Sequence, residues 1–176
     1  MQSMQLNFRL GMLSDEAQVI SLVNSVYRGE SAEELWTTEA KLIDGPRIDS
    51  KSFADLIAPN DSFLILAFYE NELVGCVHLR KSLIDCLLGM LSVKAAFQKF
   101  GLGKVILSYA EEYALANLGI HEMSMHVITV RSELLNWYQR RGYKATGEVV
   151  PFNGNNGLNK PKSGSLYFAV LKKVLT

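Results

Sequence analysis

Between residues 91 and 107 (LSVKAAFQKFGLGKVIL) an apolar run gives way to a short polar stretch, two glycines and the start of a segment with helical spacing. That order of residues makes an anion cradle. Backbone N–H groups at a helix N-terminus have no internal partner, and the helix dipole adds positive potential, so a glycine-rich entry lets phosphate oxygens reach the main chain. Lys94, Lys99 and Lys104 add charge, and no carboxylate occurs between Asp85 and Glu111, so a polyphosphate suits the segment. An ordinary strand-to-helix turn with solvated lysines is the plainer reading of the same residues. Further on, the phenol of Tyr138 can give a proton, and the imidazole of His126, twelve residues earlier, belongs to the side chain that changes charge near neutral pH. Their plainer readings are a core aromatic and a strand histidine.

Three phosphate-binding patterns compete for the cradle, and spacing separates them. A dinucleotide fingerprint built on Gly101 and Gly103 needs a third small residue where Ile106 stands. A Walker A loop ending in Gly103-Lys104 needs Ser or Thr at Val105 and Gly at Gln98. The pattern that fits is Gln98-Lys99-Phe100-Gly101-Leu102-Gly103 after Leu91-Ser92-Val93, followed later by residues 135–143 (LNWYQRRGY). With these two motifs in this order, the chain resembles the GNAT superfamily of acyl-CoA-dependent N-acetyltransferases over nearly its whole length.

The resemblance implies acetyl-CoA as donor and a primary amine of a small molecule or peptide as acceptor, with direct attack in a ternary complex. It implies that main-chain groups of Leu91, Ser92 and Val93 hold the acetyl carbonyl and pantetheine arm. Gln98, Lys99, Phe100, Gly101, Leu102, Gly103 and Lys104 then hold the pyrophosphate. Tyr138 becomes the general acid that protonates the departing thiolate. His126 is the candidate base, on the strand where some relatives that acetylate peptide N-termini carry a glutamate. Trp36, Glu39 and Arg47 fall in the region that usually shapes the acceptor pocket, although a buried anchor and surface charges explain them nearly as well. Two positions depart from the family: Ala95 replaces a common proline, and Arg131 stands where many members have asparagine. A longer acyl donor and a catalytically silent acyl-CoA sensor or scaffold remain as alternatives, and members of the family are often dimers, which leaves a homodimer open.

The elements that must position these residues follow from periodicity. Phe8, Leu10 and Met12 alternate as a strand, and Ser14 is placed to cap a helix carrying Val19, Ile20, Val23, Val26 and Tyr27 up to Gly29. Residues 30–49 read as a loop or short helix, and a second helix around Phe53, Leu56 and Ile57 ends before Pro59. Apolar runs at 63–69, 73–80 and 86–93 form an antiparallel meander. With Leu83 at the second turn, Cys86 faces Arg80 and Cys76 faces Met90, so the cysteines do not bridge. A helix over 103–118, a strand over 121–128, a helix opened by Ser132 and Glu133, and strands from Tyr143 and over 165–174 complete the order. This is a mixed α/β (α+β) fold with a central, partly antiparallel sheet of about seven strands flanked by about four helices, in one domain over 1–176.

Composition sets the outer bounds. The 176 residues are 48% hydrophobic and 20% charged, enough apolar surface for a real core. Net charge is zero, which removes the electrostatic footprint of a general nucleic-acid binder. Residues 1–88 carry 7 basic and 13 acidic side chains and residues 89–176 carry 11 and 5, so an anionic ligand favours the second half. The acidic bias of the first half suits a cationic amine, unless those carboxylates form a solvated face. His121 and His126 lie on opposite faces of a strand and His78 has no evident partner, so no metal is expected. With two cysteines, no run of about 20 apolar residues and no signal-like N-terminus, a soluble cytoplasmic protein is expected, with no membrane partner.

Overall fold

Apolar side chains at every second position of three successive strands point alternately to two cores, and that alternation sets the architecture. The computed structural model describes residues 4–29, 38–154 and 157–176. In chain order these form β1 (Asn7–Leu10), α1 (Glu16–Arg28), β2 (Ile43–Asp44), α2 (Ser50–Ile57), β3 (Ser62–Tyr69), β4 (Glu72–Lys81) and β5 (Cys86–Val93). They continue through α3 (Leu102–Leu118), β6 (Glu122–Ile128), α4 (Ser132–Gln139), β7 (Lys144–Pro151), β8 (Lys160–Pro161) and β9 (Tyr167–Val174). Seven strands make one sheet in the order β1-β3-β4-β5-β6-β9-β7, antiparallel throughout except for β5 against β6. The expected mixed α/β class with a seven-stranded sheet is what the chain forms.

One sheet face buries Ile65, Ala67, Val77 and Leu79 under Ile106, Leu107, Ala110 and Ala114 of α3 and Tyr138 of α4. The other buries Leu64, Leu66, Cys76 and Met90 under Val19, Leu22, Val23 and Val26 of α1 and Phe53 of α2. Cys76 and Cys86 are free and buried in different cores.

Four local expectations change. Ser14 does not cap α1; a 3-10 turn over Leu13–Asp15 precedes the helix, and the Asp15 carboxylate accepts from the Met12 N–H and from Arg9. Ser132, by contrast, opens α4 as expected, with Arg131 at the cap position. The β4–β5 turn is longer than a turn centred on Leu83 alone would make it, so Cys86 faces Lys81 rather than Arg80. A bulge then places Cys76 opposite Ser92 rather than Met90, because Met90 and Leu91 together oppose the single residue Val77, and Met90 takes a φ of 54°. Finally, the polar segments around 40–48 and 152–164 are joined: β2 pairs with β8, and the Asn159 side-chain amide donates to the Pro46 carbonyl at 3.3 Å.

Candidate active site

β5 and β6 lie side by side only where Cys86, Leu87 and Leu88 meet Met123, Ser124 and Met125. Beyond that point they splay. The bulge at Met90 and Leu91 turns β5 away, and neither residue is in register with β4 or β6. A non-glycine residue held at positive φ costs energy that surrounding structure must offset, and such residues gather at working sites. The divergence opens a cavity of about 470 Å³, lined among others by Leu91, His126, Tyr138, Glu39 and Arg47. Five of the residues singled out in the sequence thus share one space. Trp36 lies outside the described residues. Ser92 and Val93 are buried behind the cavity, with only their main chain on the strand available.

Tyr138 comes from the last turn of α4 and packs edge-on against Trp137 and Tyr143, with ring centres 4.9 and 5.8 Å away. Its side chain is almost wholly buried, yet its hydroxyl makes no hydrogen bond among the described residues. Burial pushes the phenol well above its ordinary pKa, with a smaller push from Tyr27, so it keeps its proton. His126 projects from β6, exposed to the cavity, with its ring 5.8 Å from Phe168. His78 also lines the cavity, and it has a partner: its Nε2 is 2.7 Å from the Ser62 hydroxyl, which itself donates to the Leu56 carbonyl. The hydroxyl has one proton to give, so the geometry assigns the ring proton to Nε2. Burial pushes His78 down to about 4, with Arg80 and Arg47 adding to the effect.

The cavity wall is cationic, contrary to the acidic bias of the N-terminal half. Arg28 and Arg131 share Glu39 at 2.9 and 3.4 Å, so Arg131, the departure at the start of α4, turns toward the acceptor side. Arg47 lies over the Tyr27 ring with its guanidinium carbon 5.6 Å from the ring centre. The Tyr27 hydroxyl, pushed up to about 12 by burial, donates to the Leu91 carbonyl at 2.9 Å.

On the far side of β5 the glycine turn forms a second pocket of about 400 Å³, lined by Gln98, Gly101, Gly103, Lys104, Arg140 and Arg141 among others. Gln98 Nε2 donates to the Val93 carbonyl at 3.0 Å, pinning the turn to the strand end. Gly101 is left-handed, with φ 74°, and caps α3. A Cβ there would meet nothing within 4 Å, so the approach to the helix N-terminus is open. Lys99, Phe100 and Lys104 are exposed, whereas Leu102 faces the core and offers main chain alone. Lys94 is drawn off by an ion pair with Glu72 of β4. Cations arrive instead from Lys104 of α3 and from the turn that follows α4. Arg141 lies 3.5 Å above the Trp137 ring and donates to the Trp137 carbonyl at 2.7 Å, while its buried Nε has no acceptor among the described residues. These residues fit a polyphosphate through open main-chain donors, cationic side chains and a buried donor still in need of an acceptor.

Sequence reasoning missed Tyr27, Arg28, Arg140 and Arg141. The basic pair immediately before Gly142 was a readable signal for the last two. Tyr27 had none, because it continues an apolar helical stripe. Among the described residues, no helix is long and apolar enough to cross a membrane.

Residues 25–143 match the Acetyltransferase (GNAT) family. Among solved structures, the chain is similar to the ribosomal-protein-S18-alanine N-acetyltransferase from Escherichia coli, at 12% identity and a TM-score of 0.72 over 98% of this chain and 95% of that one. A GNAT-family acetyltransferase from Streptococcus pneumoniae aligns at 17% identity and a TM-score of 0.68, covering 98% of this chain and 100% of that one. A spermidine/spermine N-acetyltransferase from Vibrio cholerae aligns at 16% identity and a TM-score of 0.68, covering 97% of this chain and 93% of that one. At these identities the likeness is one of fold.

Proposed function

The chain belongs to the acetyltransferase (GNAT) family, and from that premise we propose that it is, as a single domain over residues 1–176, a cytoplasmic N-acetyltransferase that moves the acetyl group of acetyl-CoA to a primary amine of a small molecule or peptide by direct attack in a ternary complex. The observation that carries this reading is the splaying of β5 from β6, which sets an open glycine turn with cationic neighbours on one side and a cavity containing Tyr138 and His126 on the other.

Bound acetyl-CoA supplies an activated thioester. Main-chain groups of Leu91, Ser92 and Val93 hold its acyl end, and the turn from Gln98 to Lys104 holds the pyrophosphate with help from Arg140 and Arg141. Tyr138 keeps a proton on its hydroxyl and delivers it to the sulfur as the carbon–sulfur bond breaks; the raised pKa suits an acid that must arrive protonated. His126 takes the proton that the amine loses on attack. The arginines around the cavity work in the same direction, since nearby cations disfavour the ammonium form of a bound amine.

Calorimetric titration with acetyl-CoA, with NAD and ATP as controls, tests the donor half of the proposal. Selective binding of acetyl-CoA is expected, followed by CoA release with a panel of amines. Failure to bind any acyl-CoA overturns the proposal, and binding without release across a broad panel leaves an acyl-CoA sensor.

A further inference from the structure

Four arginines face the acceptor cavity, Arg28, Arg47, Arg80 and Arg131, against two carboxylates, Glu39 and Asp55. Most of this charge is matched. Glu39 serves Arg28 and Arg131, Arg80 holds Asp61 at 2.8 Å, and Asp55 is taken by Lys51 at 2.7 Å. Arg47 differs: it has no ion pair among the described residues. Its place is nevertheless fixed. The N–H groups of Arg47 and Ile48 donate to Asn24 Oδ1 at 2.8 and 3.2 Å, and Asn24 Nδ2 returns a bond to the Ile48 carbonyl at 2.9 Å. The ring of Tyr27 supports the guanidinium from below. In the same wall, Arg28 Nη2 is buried with no hydrogen-bond acceptor among the described residues.

A guanidinium partly removed from water and held without a counter-ion is costly unless an anion completes it, and its planar fork matches a carboxylate. On the acetyl-transfer reading above, we propose that the acceptor is a small amino-acid-like molecule, a primary amine that also carries a carboxylate, and that Arg47 binds that carboxylate. Tyr27 sets the spacing. Its ring lies under Arg47 and its hydroxyl bonds the Leu91 carbonyl, so the anion subsite and the strand proposed to hold the acyl group are bridged by one side chain. A molecule whose amine and carboxylate are a few bonds apart spans that interval. The cavity, at about 470 Å³, is of small-molecule size. The same wall discriminates against a polyamine, whose further cations would stand against Arg47 and its neighbours.

The test is CoA release with the twenty protein amino acids, their α-amides, and spermidine. At least one free amino acid should exceed its own amide in kcat/KM by about 100-fold. Arg47→Ala should bring that acid-to-amide ratio toward unity, mainly through KM, and Arg47→Lys should keep part of it; the amide rate within each variant reports whether the protein is folded. Amides or spermidine used as well as the acids would overturn the carboxylate subsite and leave acetyl transfer standing. If no amine supports CoA release, the amino acids are titrated calorimetrically into the protein saturated with CoA. Binding of acid but not amide, lost in Arg47→Ala, upholds the subsite although the transfer reading has failed. No binding overturns both.

Discussion

The hydroxyl of Tyr27, in the last turn of α1, donates a 2.9 Å hydrogen bond to the carbonyl of Leu91, in the bulge of β5, 64 residues later in the chain. The bulge takes Leu91 out of register with both neighbouring strands, and Tyr27 supplies the partner that its carbonyl needs. One phenol therefore ties the acceptor-side helix to the strand proposed to hold the acyl group.

Tyr27→Phe removes that donor and leaves a carbonyl short of a partner in a buried setting. A loss of about 1–2 kcal/mol is expected, seen as a melting temperature lower by about 2–8 °C for a chain of this size. Acetyl-CoA affinity should weaken as well, because the Leu91 peptide is free to rotate. Unchanged melting and unchanged affinity together would show that the bond positions nothing.

Tyr138→Phe keeps the edge-on ring contacts with Trp137 and Tyr143 and deletes only the hydroxyl, which has no other partner among the described residues. Turnover should fall about tenfold or more, while acetyl-CoA affinity by calorimetry stays nearly unchanged. Equal turnover in the two proteins would remove Tyr138 from the acid role.

Much of the frame was legible because it is written in periodicity. Val19, Val23 and Val26 mark one face of α1, and Leu64 and Leu66 alternate with Ile65 and Ala67 between the two cores. The glycine turn and Tyr138 were legible because each sits in a motif of fixed spacing. What stayed hidden depends on residues far apart in sequence. β2 and β8 are two residues each, too short for any pattern, and the Asn159–Pro46 contact that joins their loops spans 113 residues. The Glu39–Arg131 pair spans 92 residues, and it sets a cation from the C-terminal half against a carboxylate on which an acidic reading of the acceptor side relied. The register slip at Met90 was hidden as well, since nothing in its residue type announces a positive φ.

His126→Gln tests the proton acceptor. The imidazole is exposed to the cavity, so replacing it should cost little stability. A fall in kcat/KM of about 100-fold near neutral pH is expected, shrinking at alkaline pH as the free amine becomes plentiful. A pH-rate profile that overlays the original would assign the proton to water or another group.

Gly101→Ala and Gly119→Ala form a matched pair at the two ends of α3, with φ of 74° and 66° and nothing within 4 Å of either added Cβ. Each should lose about 1 kcal/mol through the left-handed backbone. Gly101→Ala alone should also weaken acetyl-CoA binding, by about tenfold, because it strains the turn whose N–H groups are proposed to hold the phosphates. Equal affinity loss in both variants would trace the effect to general destabilisation.

His78 sets an acid limb on stability. Burial, reinforced by Arg80 and Arg47 and only weakly opposed by Asp61, pushes its pKa from an ordinary 6.5 down to about 4. Below pH 6.5 the unfolded chain takes up a proton that the folded chain refuses. The stabilisation is therefore complete above pH 6.5 and is lost as pH falls toward 4, by roughly 3 kcal/mol at most. His78→Gln retains a donor for the Ser62 hydroxyl and has no proton to gain, so its denaturation midpoint should be flatter across that window. Asp15, whose carboxyl is held below its ordinary 3.8 by Arg9, begins to cost stability as pH nears that value, but it does so equally in both proteins and does not blur the comparison. Parallel slopes in the two proteins between pH 6.5 and 4 would mean that His78 is protonated as readily in the folded chain as in the unfolded one.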